Sequence, residues 1–234
     1  MSLLATPEFW IALVQIIMIN IVLSGDNAVV IALACRALPP AQQKKAILLG
    51  SVGAIVLRVM LTFFAVMLLG LPYLKLVGAA LLLWIGVGLL KSDDGEEELQ
   101  GHSSLVAAIK TIIVADLVMS LDNVIGVAAA AKGSLPLLII GLVISIPLII
   151  YGSTLILKLM GRFPVIITLG AGLLGWVAGE MALSDPSISG WAAEQHSLHM
   201  VAPAIGALLV VATGKWMVMR QATAGAAGLD RAPG

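Results

Sequence analysis

The chain has few charged residues: Asp, Glu, Lys and Arg make up 11% of its 234 residues, and the formal net charge is zero. A water-soluble domain carries about 25% charged residues, so this composition excludes an ordinary soluble fold. The single cysteine, Cys35, excludes a disulfide framework and a thiolate metal cluster. Because there is also no basic stripe, we expect no nucleic-acid partner.

Apolar residues dominate instead, at 60% of the chain with a mean hydropathy of +1.09. One crossing of a bilayer needs about 20 consecutive apolar residues. Seven spans are predicted, at 9–34, 47–70, 73–90, 105–131, 135–157, 164–183 and 200–219. The sequence therefore predicts an all-α, multi-pass membrane protein in a lipid bilayer.

The distribution of basic residues predicts the orientation of these spans. Arg36 and Lys44 follow the first span, and Lys158 and Arg162 follow the fifth, whereas the loop 184–199 has no Lys or Arg. Short loops rich in Lys and Arg remain in the cytoplasm. We therefore expect the N-terminus outside the cell and the C-terminus in the cytoplasm.

Two sequence patterns occur twice. Ser-Gly-Asp-Asn at 24–27 returns as Ser-Leu-Asp-Asn at 120–123, and Gly-Ala-Ala-Leu-Leu-Leu-Trp at 78–84 returns as Gly-Ala-Gly-Leu-Leu-Gly-Trp at 170–176. A unit of three spans reverses its direction in the membrane when it is repeated. We therefore expect two inverted three-helix repeats and an additional seventh helix, an architecture that suits alternating access.

These boundaries divide the chain into six parts. The segment after the third span is acidic and has almost no apolar residues, which favours a disordered linker. The predicted parts are a first repeat (1–90), an acidic cytoplasmic linker (91–104), a second repeat (105–183), an outer loop (184–199), a seventh helix (200–219) and a disordered tail (220–234).

The repeated motif places carboxylates inside apolar sequence. Such a charge costs about 2.5–3.5 kcal/mol at the centre of a membrane helix, so a function is expected for it. Carboxylate and amide oxygens suit hard divalent ions such as Mg²⁺, Mn²⁺ and Ca²⁺. The candidate metal ligands are Asp26, Asn27, Asp116, Asp122 and Asn123.

Further polar residues could support this site. Asp116 and Ser120 are four residues apart, which places them on one face of a helix, and Asn20 and Ser24 repeat this spacing. Arg58 lies in the middle of the second span, and we expect it to pair with Asp26 or Asp122. A structural ion pair without a role in transport is the alternative for Arg58.

Glu180 lies near the outer end of the sixth span and has no acidic counterpart in the third. It could be a third ligand or a proton carrier, but an interfacial carboxylate is the better interpretation. The carboxylates Asp26, Asp116 and Asp122, set against Arg58, leave about two negative charges for one divalent ion to cancel. Protons that replace the ion would make the protein a metal/proton antiporter.

The doubled motif, continued by Ala-Val-Val-Ile-Ala at 28–32, resembles the paired signature of the TerC family. The resemblance extends over about residues 9–219 and includes Arg58 in Leu-Arg-Val-Met-Leu-Thr. It implies Mn²⁺ efflux across a bacterial cytoplasmic membrane, with the motif Asp and Asn residues as the metal site and no permanently bound cofactor. It also implies a layout similar to LysE-type exporters. Many relatives have an acidic residue where Asn20 stands, so the first half-site here is less negative.

Other functions remain open from the sequence. The same architecture could export amino acids or other small cations, or serve as a membrane scaffold that assists the metalation of secreted proteins. An intramembrane aspartyl protease also uses two buried Asp residues. Its Tyr-Asp and Gly-x-Gly-Asp motifs are absent, so we expect no enzymatic activity. The oligomeric state is left open.

Overall fold

The structure is a computed structural model, which describes residues 10–11, 13–18, 25–91, 101–130, 135–195 and 197–229. The described residues are helices joined by turns, and they contain no strand, which confirms the predicted all-α class. Residues 10–11 and 13–18 are helical. They are followed by α1 Gly25–Cys35, α2 Pro40–Leu69, α3 Leu74–Lys91, α4 Gly101–Ala130, α5 Leu135–Arg162, α6 Val165–Leu183, α7 Ser189–Ala193 and α8 Leu198–Leu229.

Within the described residues, five helices are long and apolar enough to cross a membrane. The qualifying stretches are Pro40–Phe64, Leu74–Lys91, Ile139–Arg162, Val165–Leu183 and Leu198–Arg220. The other two predicted spans are described only in part, because residues 12 and 19–24 of the first and several side chains of α4 lie outside the described residues. Large apolar side chains face outward, since Phe63 is 75% and Trp84 is 72% exposed. Lipid chains cover such surfaces in a multi-pass membrane protein.

The helix boundaries differ from the predicted spans where polar sequence is helical. Helix α2 begins at Pro40 rather than at 47, because proline fits the first turn of a helix and Gln and Lys are good helix formers. Helix α8 continues to Leu229, so the tail predicted to be disordered from 220 is helical through this alanine-rich stretch.

The predicted linker and outer loop are also partly helical. Helix α4 begins at Gly101, inside the predicted linker 91–104, whose residues 92–100 lie outside the described part. The predicted outer loop 184–199 contains the short helix α7.

Two pairs of helices pack closely at glycines and run parallel. A Cβ placed on Gly50 of α2 would lie 2.8 Å from Cδ1 of Ile112 in α4, and one on Gly53 would lie 2.7 Å from Cδ1 of Ile113. Residue numbers rise together along both helices, so they are parallel. In the same way, Gly141 of α5 packs on Ile16 and Gly152 packs on Ala28.

Helices α3 and α6, which carry the second repeated pattern, run antiparallel. A Cβ on Gly78 would lie 3.0 Å from Sδ of Met181, and one on Gly86 would lie 3.4 Å from Cβ of Leu174. Residue numbers therefore fall along α6 as they rise along α3. At one end of this pair, backbone amides at the start of α3 hydrogen-bond Asp185, just beyond the end of α6.

The two leading glycines of this pattern each pack on a motif helix. A Cβ on Gly78 would lie 2.9 Å from Cγ1 of Val118 in α4. A Cβ on Gly170 would lie 2.6 Å from Cγ1 of Val29 in α1. Each repeated glycine thus packs on the motif helix of the other half of the chain.

Helix α8 packs against α6 with direct backbone contact. Gly175 contacts Gly206, and Gly179 contacts Ala202, so neither glycine of α6 has room for a side chain. Small residues four apart allow two membrane helices to approach this closely.

The described interior includes a core around the motifs, a second apolar cluster beside it, and a smaller cluster between α3, α6 and α8. The first core includes the buried side chains of Leu33, Leu82, Met119, Leu174 and Met181. The second cluster joins α1, α2 and α4 through Ile31, Cys35, Leu38, Ala46, Ile47, Ala108 and Ile112. The polar site described next lies among helices that the first two of these clusters hold together.

Candidate functional site

An ion pair between Arg58 and Asp116 lies inside the helix bundle. Nη2 of Arg58 in α2 is 2.5 Å from Oδ1 of Asp116 in α4. Arg58 is 2% exposed and Asp116 is 8% exposed. Two opposite charges in direct contact offset part of the cost of removing each from water, whereas either charge alone would be strongly destabilising there.

Ser120 completes this cluster. Nε of Arg58 donates a hydrogen bond to Oγ of Ser120 at 2.9 Å, and the Ser120 hydroxyl donates to Oδ2 of Asp116 at 3.2 Å. The predicted alignment of Asp116 and Ser120 on one helix face is therefore confirmed. Ser120 is fully buried. Among the described residues, these three side chains form a closed polar ring of hydrogen bonds.

The pairing of Arg58 differs from the expectation. Asp26 is not its ion-pair partner, and the side chain of Asp122 lies outside the described part of the chain. The reason lies in helix packing: Gly50 and Gly53 bring α2 close to α4, and their parallel course puts Arg58 beside Asp116. Sequence spacing within α4 alone could not reveal this register.

Asp26 and Asn27 lie in the first turn of α1. The backbone N–H of Asn27 donates to Oδ1 of Asp26 at 2.8 Å. Asp26 is half-buried and Asn27 is 2% exposed. A helix N-terminus favours a nearby negative charge. The charges of Arg58 and Asp116 both act on this carboxylate, so the ion pair and the first motif share one electrostatic environment.

Several predicted site residues have no described contact with this cluster. Asn20 and Ser24 lie outside the described residues. Asn123 is half-buried in α4, which continues as one helix through the second motif, where Leu121 stands in place of Gly25. Among the described side chains, no group of three or more His, Cys, Asp or Glu residues converges to hold a metal. The described oxygen donors of the site are Asp26, Asn27, Asp116 and Ser120.

Glu180 lies apart from this cluster. Its side chain is exposed near the end of α6, and Oε1 accepts a hydrogen bond from Nε1 of Trp176 at 2.8 Å. An exposed carboxylate beside a tryptophan fits the interfacial interpretation better than a ligand. Next to it, an apolar groove of about 610 Å³ between α6 and α8 is lined by none of the predicted site residues.

Asp185 is a buried carboxylate that the sequence analysis missed. It is fully buried beyond the end of α6. Oδ1 accepts the amides of Tyr73 and Ser187 and the Ser187 hydroxyl, and Oδ2 accepts the amides of Lys75 and Leu76. Burial acts to raise the pKa of Asp185, but the hydrogen bonds from Ser187, Tyr73 and Leu76 outweigh it and lower the pKa to about 2. No local signal identifies such a residue, because the helix it caps lies more than 100 positions earlier in the chain.

Apolar helices around a buried ion pair and a motif carboxylate define a multi-pass membrane protein with a polar interior. The family model described as "Integral membrane protein TerC family" matches residues 5–222. The chain therefore belongs to the TerC family, as the sequence resemblance predicted.

Two relatives that match along most of their own length are membrane proteins. The chain is 41% identical over 204 residues to the uncharacterized membrane protein YjbE of Bacillus subtilis strain 168, covering 87% of this chain and 94% of that protein. It is 29% identical over 197 residues to the inner membrane protein YgdQ of Escherichia coli K12, covering 76% and 83%. No solved structure matches the chain.

Proposed function

We propose that this protein exports divalent metal cations across the cytoplasmic membrane, with Mn²⁺ as the expected cargo. The observation that carries the proposal is that Asp26 and Asn27 of α1 and the buried Arg58–Asp116 ion pair lie within one apolar bundle. Carboxylates in such surroundings are costly and usually mark an ion pathway. The oxygen donors of the motif are those that hard divalent ions prefer.

Inverted repeats give this proposal a structural basis. The repeated patterns at 78–84 and 170–176 lie on α3 and α6, which run antiparallel. Gly50 packs on Ile112 as Gly141 packs on Ile16, and Ile16 and Ile112 hold the same place before the two motifs. These relations support two inverted three-helix units in a LysE-like layout, with the N-terminus outside and the C-terminus in the cytoplasm. In such folds the ion site lies between the units near the bilayer midplane.

Exchange with protons would supply the energy for export. A cavity with carboxylates at 26 and 122 needs a neutralising positive charge both when the metal ion is bound and when it is absent. The ion supplies that charge in the loaded form, and protons supply it in the empty form. Metal efflux would then be coupled to proton entry.

Purified protein in liposomes tests the proposal. Mn²⁺ efflux and internal pH would be followed for the unaltered chain, Asp26→Asn and Asp122→Asn, with Glu194→Gln as a control at an exposed position. We expect both motif variants to lose flux and the control to retain it, with internal acidification as metal leaves. Undiminished flux in the motif variants would refute the site, and flux without a pH change would refute proton coupling.

Competition with other solutes tests the cargo. Mg²⁺, Ca²⁺, Fe²⁺ and cationic amino acids would be added to the Mn²⁺ assay. We expect divalent metals alone to compete. Competition by amino acids would favour an amino-acid exporter, and absence of any flux would favour a scaffold that assists the metalation of secreted proteins.

A further inference from the structure

We propose that Arg58 is a resident counter-cation. It pairs with Asp116, so Asp116 does not bind the transported ion, and the motif carboxylates alone provide negative charge to that ion. The proposal rests on the function proposed above, and it changes the expected ligand set. Asp116, which the sequence suggested as a metal ligand, instead pairs with the guanidinium of Arg58. Arg58 then acts on the ion through charge rather than through contact.

The first argument is that the described partners of Asp116 already occupy both of its oxygens. Arg58 binds Oδ1, and the Ser120 hydroxyl donates to Oδ2. Ser120 in turn accepts from Arg58. A buried carboxylate held from both sides would need to break this ring in order to bind a metal, and would leave Arg58 as an uncompensated buried charge.

The second argument is that the residues at the repeat-related positions are neutral. Gly-x-Val-x-x-Ile-x-Leu occurs at 50–57 and again at 141–148, and the glycine of each copy packs on an equivalent isoleucine. In this register Arg58 corresponds to Ile149, and Asp116 corresponds to Asn20. The sequence therefore has an ion pair at one set of positions and two neutral residues at the related set, although both motifs keep Asp and Asn. The ion pair is thus not part of the duplicated motif.

The third argument is electrostatic. Arg58 and Asp116 both act on the carboxylate of Asp26, with opposite signs. Removing only Asp116 would expose a positive charge to the ion site, whereas removing only Arg58 would expose a third negative charge. In a medium of low dielectric constant such a change alters cation affinity about tenfold or more.

Three variants separate a counter-cation from a ligand. Asp116→Asn and Arg58→Ile each remove one charge, and the double variant R58I/D116N places at both positions the residue types of their counterparts, Asn20 and Ile149. Binding of Mn²⁺ to purified protein would be measured from the electron paramagnetic resonance signal of free Mn²⁺, with Asp26→Asn as a reference for loss of the site. We expect Asp116→Asn to bind about tenfold more weakly and Arg58→Ile about tenfold more tightly. The double variant should return to within about threefold of the unaltered chain, because it restores charge balance.

The double variant decides the question even if the single variants do not fold. Loss of Mn²⁺ binding in the folded double variant, together with loss in Asp26→Asn, would identify Asp116 as a ligand and overturn the inference while leaving the proposed function intact. If both single variants bound Mn²⁺ more weakly than the unaltered chain, the Arg58–Asp116 pair would be purely structural. This result would also overturn the inference. Equal binding by the unaltered chain and Asp26→Asn would reject the proposed ion site itself, and the inference with it.

Discussion

The amide nitrogen of Tyr73 lies 3.0 Å from Oδ1 of Asp185, a residue 112 positions later in the chain. Tyr73 has φ 67°, a left-handed conformation that is unfavourable for a tyrosine. The same carboxylate accepts the amides of Lys75 and Leu76 in the first turn of α3. Asp185 therefore caps a helix of the first half from the second half and holds a strained turn in place.

Replacement of Asp185 by asparagine should destabilise the fold. An asparagine keeps one acceptor oxygen but turns an NH2 group toward backbone amides that the carboxylate bound, and a buried hydrogen-bonding group left unsatisfied costs about 1–3 kcal/mol. Thermal unfolding in detergent at pH 7 would measure the effect. Glu194→Gln, at an exposed carboxylate, is the matched control. An unchanged transition for Asp185→Asn would show that the cap contributes nothing.

The contribution of Asp185 should depend on pH. Its pKa is lowered from the ordinary value of 3.8 to about 2, so the folded state binds the proton less readily than the unfolded state. The stabilisation is therefore complete at neutral pH and is lost as the pH falls from about 4 to about 2. The difference in melting temperature between the unaltered chain and Asp185→Asn should shrink across this window. A constant difference down to pH 2 would contradict the assignment.

The backbone contact between α6 and α8 should tolerate no side chain. A Cβ at position 206 would overlap the carbonyl of Gly175, so Gly206→Ala should cost about 1–3 kcal/mol through forced separation of the helices. At Gly88 in α3, a Cβ would meet no atom within 4 Å. Gly88→Ala should therefore be neutral or gain up to about 1 kcal/mol. Unfolding midpoints of the two variants would compare them, and equal destabilisation would refute the close contact.

Cys35 should be unreactive in the folded protein. It is the sole cysteine of the chain, and its side chain is fully buried in the cluster with Ile31 and Ile47. Membranes treated with a maleimide should show no labelling until the protein is denatured. The variant C35S/E194C carries its thiol at an exposed position and should label at once. Fast labelling of native Cys35 would reveal that this cluster opens.

Hydropathy predicted much of the fold. Among the described residues, the apolar runs identified five of the seven predicted spans, because a bilayer demands length and apolarity, and both properties are local. The starts and ends of α2, α4 and α8 were missed where polar or alanine-rich sequence is helical outside the apolar runs. Helix formation there depends on propensity rather than on hydropathy.

The sequence predicted which residues form the candidate site but not how they pair. Arg58, Asp116 and Ser120 were all identified from sequence, but the partner of Arg58 was not, since it depends on the register between α2 and α4. That register is set by glycines at 50 and 53, whose packing partners lie more than 55 positions away. The role of Asp185 was missed for the same reason.

The backbone contact between α6 and α8 has a further consequence. Gly175 and Gly206 meet with no side chain between them, so neither helix can tilt or slide without displacing the other. We therefore expect these two helices to move as one rigid body. A rearrangement that opens a path for an ion would take place instead at interfaces that contain side chains, such as the one where Ile112 packs on Gly50.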